Sequence, residues 1–182
     1  MIKTNRQDIQ GDGNQQAGRD IVNKTYYGEV RPRIQFFERD IKNVIVYFSD
    51  NLESIDGILD DLDKIPLEEK NELNSLSDDY FEIIKEDYME YFGKIDSFLK
   101  DPKNSEYLQM YQNTVVELRR KITIKRKDYE YFEEIFEDLY DHILDKNVDE
   151  LHTNKEIIWV FLHYMYCNCD IGKKSKRDEK SA

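Results

Sequence analysis

Apolar residues recur along most of this chain at spacings of three and four, the repeat of one face of an α-helix. Ile34, Phe37, Ile41, Val44, Phe48, Leu52, Ile55, Leu59 and Leu62 keep that phase, which predicts one long amphipathic helix, bent at Gly57. Ile65-Pro66 ends it, and Leu67 to Leu76 follow as a short helix or helical turn. Ser77-Asp78-Asp79 reads as an N-cap with acidic residues in the first turn. Tyr80, Ile84, Tyr88, Tyr91, Ile95 and Phe98 then mark a second long helix that stops before Asp101-Pro102. A third stripe runs Leu108, Tyr111, Val115, Leu118, Ile122, Tyr129, Phe132, Phe136, Leu139, Ile143. It predicts one helix of about 40 residues, roughly 60 Å long, whose weakest place is the β-branched Ile122-Thr123-Ile124. Thr153-Asn154-Lys155-Glu156 fits a capping box and opens a last helix that ends near Gly172. That helix is apolar nearly all round from Ile157 to Tyr166, so it is expected at the centre of the bundle, or shared between core and partner.

The first thirty residues follow another pattern. Gly11, Gly13 and Gly18 lie within Gly-Asp-Gly-Asn-Gln-Gln-Ala-Gly, flanked by Ile2, Ile9, Ile21 and Val22. This reads as short strands joined by a turn. So small an element cannot bury its own apolar side and is marginal alone. Residues 1–30 are therefore expected to pair with copies from other chains, with a trimer favoured and Ile2, Ile9, Gly11, Gly13, Gly18, Ile21 and Val22 at the contact. The organisation that results is a β oligomerisation element at 1–30, a helical domain at 33–172 and a charged, disordered tail at 173–182. The fold class is mainly α, a bundle of about four to five helices, two or three of them very long.

Composition sharpens this picture. Thirteen per cent of residues are aromatic, which puts a core within reach although only 39% are hydrophobic. Seven glycines and three prolines leave long stretches free of helix breakers. No run approaches the roughly 18–20 apolar residues of a membrane span, and Met1 to Asp20 lack the apolar stretch of a signal peptide. Two cysteines give no disulfide framework, so a cytoplasmic location is expected. The charge is unevenly spread: +2 over residues 1–33, −17 over 34–172 and +3 over 173–182. A body this acidic repels phosphate backbones and disfavours broad nucleic-acid binding.

Candidate chemistry is thin. Gly18 is followed by Arg19-Asp20 rather than Lys-Ser/Thr and opens no helix, so a phosphate loop is not expected. His163 and Cys167 share a helix face, but Cys169 lies off it and no second cysteine pair closes a tetrahedral metal site. Glu133, Glu134, Glu137, Asp138 and Asp141 read as a solvated helix face rather than an acid–base pair. His142 and His152 sit in polar contexts, and no nucleophile–base pairing has a recognisable setting. No catalytic residue, metal or cofactor is expected. One feature stands apart: Arg119, Arg120, Lys121, Lys125, Arg126 and Lys127 put six basic residues in nine with no acid among them. This island either docks an acidic partner or nucleic acid, or pairs with the protein's own acidic helices.

Residues 9–21 resemble a short N-terminal element found in many bacterial conflict-system proteins. Residues 65–122, beginning Ile-Pro-Leu-Glu-Glu-Lys-Asn-Glu-Leu-Asn, and the ending Tyr164-Met165-Tyr166-Cys167-Asn168-Cys169-Asp170-Ile171-Gly172 are similar to the helical accessory domain of ABC-three-component systems. Such systems pair an SMC-like ATPase with small accessory subunits and are thought to be antiviral. The resemblance implies a non-catalytic adaptor with protein partners. The alternative from the residues alone is a nucleic-acid-binding regulator that uses 119–127.

Overall fold

The computed structural model describes residues 34–36, 39–55, 66–146 and 155–174. All lie in the second of the chain's two units, Pro32–Ala182, the first being Met1–Arg31. The proposed N-terminal element, the bend at Gly57, Thr153-Asn154 of the capping box and residues 175–182 fall outside the described residues.

The described chain is helical: α1 (Arg39–Asn51), α2 (Leu67–Asn74), α3 (Asp78–Ile83), α4 (Phe92–Lys100), α5 (Ser105–Lys125), α6 (Glu133–Lys146) and α7 (Lys155–Cys167). The mainly α class holds, but the helices are shorter than their apolar stripes suggest. The first stripe does not stay helical to Leu62. After Asn51 comes a single 3₁₀ turn, Leu52–Ser54, and Ile55 is extended at φ −94° and ψ 115°. The side chains of Asn51 and Ser54 bond backbone carbonyls here, Asn51 to Tyr47 and Ser54 to Asn51. Such local bonds compete with continuation of a helix.

The third stripe is likewise two helices. α5 ends at Lys125, a 3₁₀ turn spans Arg126–Asp128, and Tyr129 is extended. The weak place is thus just past Ile122-Thr123-Ile124. Thr123 Oγ1 bonds the Arg119 carbonyl one turn back, and Arg126 holds the break by donating to the Tyr129 carbonyl at 2.6 Å. Tyr129 and Phe132, inside the break, are buried. The apolar phase therefore survives a break that the helix does not.

Between Ser77 and Lys100 the second stripe keeps its extent. Ser77 caps α3 by accepting from the Tyr80 amide. A π turn, Ile84–Tyr88, and a 3₁₀ turn, Met89–Tyr91, join α3 to α4. The extra residue of a π turn changes the helix phase, and Tyr88 here faces His163 of α7 with 4.6 Å between ring centroids.

α7 is the hub. It packs against α1, α4, α6 and the π turn, and every residue from Val160 to Cys167 is buried. Phe48 of α1 meets Phe98 and Phe161 edge-on, at 5.5 and 5.3 Å. Trp159, nearer the start of α7, is half-buried and stacks on Tyr140 of α6 at 4.3 Å. Ahead of α1, Phe36 pairs with His142 of α6 through its backbone carbonyl and its ring, which ties the entry of the domain to its third quarter.

Candidate functional site

Three polar residues of α2 are buried: Lys70, Asn71 and Asn74. They recur at helical spacing opposite Glu68, Glu69 and Glu72, so one face of this short helix is polar and inward. That spacing was the available signal, though polar residues on a short helix ordinarily mark a solvated side. They meet the turn that follows α7. Lys70 Nζ donates to the carbonyls of Tyr166 and Ile171, the second at 2.9 Å, and sits 4.1 Å from the Tyr166 ring centre. Tyr166 donates its hydroxyl to Asn71 Oδ1 at 3.1 Å. Asn74 bonds both backbone groups of Lys173. Gly172 passes Asn74 with φ +80°, where an added Cβ would lie 3.0 Å from Asn74 Oδ1. The two stretches that resemble the accessory-domain motifs are thus two halves of one buried knot.

Burial decides the protonation in this knot. It pulls the Lys70 ammonium down from 10.5 to about 8, the nearby cysteines opposing the shift. It also pushes the Cys167 thiol up to about 12 and the Tyr166 phenol up. Neither change makes a nucleophile, because both sulfur and phenol are kept protonated. His163 is buried with its Nε2 at 3.0 Å from the Tyr80 hydroxyl, and burial drives its pKa down to about 3. Among the described residues no group of three His, Cys, Asp or Glu is placed to hold a metal ion. The acidic run on α6 is partly engaged: Asp138 accepts from the Tyr129 hydroxyl, and Glu134 accepts from the Tyr131 amide.

The knot also braces α5. Tyr111 donates its hydroxyl to Asp170 Oδ2 at 2.7 Å, and Arg119 Nε donates to the Asp170 carbonyl at 3.1 Å. At the far end of the helix Arg126 Nη2 donates to the Asn74 carbonyl at 2.6 Å. Tyr111, Val115, Leu118 and Ile122 fill the inner side. What faces outward is therefore fixed.

This outer face divides the six basic residues differently from their order in sequence. Arg126 turns inward and serves the fold. Arg119 is exposed but bonded to the terminal turn, while Lys121 and Lys125 are half-buried. Arg120 and Lys127 are exposed and make no ion pair among the described residues. Two side chains the basic island hides from view complete the face: Val116 is 67% and Ile124 60% exposed. The apolar stripe of this helix includes neither of them, and Ile124 enters the sequence reading only through the β-branched run Ile122-Thr123-Ile124. Beside Val116 lies a shallow cleft of about 420 Å³, floored by Tyr111, Val115 and Asp170 and rimmed by Gln112, Asn113 and Arg119. From Gln109 to Lys127 the fully exposed positions include no carboxylate; Glu117, at the edge, is half-buried.

A family model, C-terminal domain 12 of the ABC-three component systems, matches residues 30–172. The chain belongs to this family. The ABC-three component match stops at Gly172, the residue whose left-handed backbone closes the knot. No curated protein and no solved structure matches the chain. Membership makes this a domain of a multi-component system. No helix among the described residues is long and apolar enough to cross a membrane.

Proposed function

We propose that this chain is a non-catalytic, oligomeric adaptor of a bacterial antiviral ABC-three component complex, working in the cytoplasm through protein–protein contacts. The observation that carries this reading is the outer face of α5: two large aliphatic side chains exposed among cations, on a body of net charge −17. Val116 and Ile124 are the most exposed large apolar side chains among the described residues, and exposed apolar groups framed by charge fit an interaction surface. The buried knot supports the same reading, because Lys70 and Tyr166 are held in hydrogen bonds and Cys167 is buried, rather than presented to a substrate.

Residues 1–30 are the assembly element in this proposal, with a trimer as the favoured state and Ile2, Ile9, Ile21 and Val22 inside it. A larger SMC-like ATPase or effector is the second partner. Two measurements test the reading. Affinity-tagged chain should co-purify the remaining components of its system when they are co-expressed; failure to do so defeats the adaptor role. Light scattering should give about three times the chain mass for the full protein and a monomer for a chain that begins at Arg33. Equal masses per chain would end the assembly proposal.

Nucleic-acid binding is the second reading, favoured by the exposed cations Arg119, Arg120 and Lys127. It requires a salt-dependent gel shift by the pure protein.

A further inference from the structure

We propose that the outer face of α5 receives an acidic amphipathic helix from another component of the system, anchored by two large apolar side chains about 12 Å apart. This rests on the adaptor reading and names the chemistry of the partner. Val116 and Ile124 are eight residues apart on one helix, which at 1.5 Å per residue is about 12 Å along its axis. An approaching helix presents side chains at that separation when they are seven or eight residues apart, the spacing of helix-in-groove anchors.

The charges select the partner. Arg120 lies between the two apolar positions and Lys127 lies beyond Ile124, both exposed, with half-buried Lys121 and Lys125 beside them. A partner side rich in Asp and Glu would be attracted to this stripe and repelled by the remaining acidic surface, which fixes where it lands. At the other end the cleft beside Val116 gives one anchor a floor of Tyr111 and Val115 next to Asp170, whose carboxylate is already held by the Tyr111 hydroxyl. Its rim of Gln112, Asn113 and Arg119 offers donors to a flanking carboxylate. Gln109 donates to Asn113 Oδ1 at 3.0 Å, so this part of the rim is already ordered. A nucleic-acid duplex would use the cations but not Val116 or Ile124, and its phosphates would meet the acidic body at either side. A second copy would bring an acidic body too, and among the exposed positions of α5 its one carboxylate is Glu106, ten residues before Val116. The stripe therefore suits a foreign acidic helix.

The probe is a synthetic fluorescent helical peptide, rich in Glu and Ala, with Leu at two positions seven apart. Fluorescence anisotropy is read on the full chain. Binding should weaken about tenfold when NaCl rises from roughly 0.1 to 0.5 M, as screening shortens the reach of the charges. It should weaken at least about tenfold when both peptide leucines become Ala, or when Val116→Ser and Ile124→Ser are combined, or in Arg120→Glu with Lys127→Glu. A peptide with Lys in place of Glu is drawn to the acidic body instead, and its binding should not change when Val116→Ser and Ile124→Ser are combined. If the leucine-free peptide or a short DNA duplex binds as tightly as the original, the face is a general polyanion site and the proposal is overturned. The same variants separate this inference from the adaptor reading. If Val116→Ser with Ile124→Ser still co-purifies the other components as wild type does, the α5 assignment falls and the adaptor stands. If wild type itself captures nothing, the adaptor reading falls, while the peptide titration still decides what α5 accepts.

Discussion

A lysine with no exposed surface needs its hydrogen bonds answered, and Lys70 finds carbonyls rather than a carboxylate. The Tyr166 carbonyl belongs to the last turn of α7, where the helix dipole favours a cation. Desolvation nonetheless wins, and the folded pKa falls from 10.5 to about 8. The consequence for stability has a definite sign. Below pH 8 both folded and unfolded chains hold the proton, so stability is flat. Between pH 8 and 10.5 the unfolded chain holds a proton that the folded one has lost, and stability rises with pH. Cys167 works the other way from its ordinary value of 9 upward, because burial holds its folded pKa near 12. The rise is thus confined to pH 8–9, where the proton difference amounts to about 1 kcal/mol. Urea unfolding under reducing conditions should show this increment in wild type and not in Lys70→Met. The variant should also be less stable at pH 7.5 by about 1–3 kcal/mol, since the Ile171 carbonyl loses its donor. An increment that persists in Lys70→Met would assign it to another group.

At the scale of elements, capping and periodicity were legible and helix breaks were not. Ser77 reads as an N-cap and accepts from the Tyr80 amide. The all-round apolarity of Ile157–Tyr166 reads as a central helix, and α7 is central. The turn between α5 and α6 was hidden because Tyr129 and Phe132 return the apolar stripe to the same core on the far side of the break. An unbroken phase records which residues meet the core, not whether the backbone between them is helical. The knot was hidden for the opposite reason, since Lys70, Asn71 and Asn74 look like a solvated face until the carbonyls they serve are known. Of the outer face of α5, the cations were legible, whereas Val116 and Ile124 owe their exposure to how α5 is held. Gly172 tests whether the knot is as tight as its geometry. Its φ of +80° favours glycine, and a Cβ would press on Asn74 Oδ1 and the Tyr166 ring. Gly172→Ala should cost about 1–2 kcal/mol in urea unfolding, the ordinary penalty of the left-handed region for a side chain. A neutral result would mean that the turn relaxes and does not clamp α7 to α2.

Among the described residues the cations split into those bonded within the fold and those that make no described contact. A body of net charge −17 repels itself, which weakens the compact state and should make salt stabilising. Removing any cation adds a little to that repulsion, so a fall in stability alone does not reveal a specific role. Arg126 differs from the rest in what it touches. Its guanidinium donates to the carbonyls of Asn74 and Tyr129, at 2.6 Å each, and so joins the end of α2 to the break after α5. Arg126→Ala strands those carbonyls in partly buried surroundings and should cost about 2–3 kcal/mol, or roughly 4–12 °C in a domain of this size. Arg126→Lys should recover little of it, because an ammonium does not span both acceptors with the geometry of a planar fork. Arg120→Glu with Lys127→Glu changes more charge but removes no described contact. Its thermal midpoint should stay within roughly 2–3 °C of wild type in 0.3 M NaCl, where the Debye length is short. Differential scanning calorimetry on the three variants decides the matter. Equal losses in all of them would make the basic residues a collective counterweight to the acidic body, and leave α5 with no face reserved for a partner.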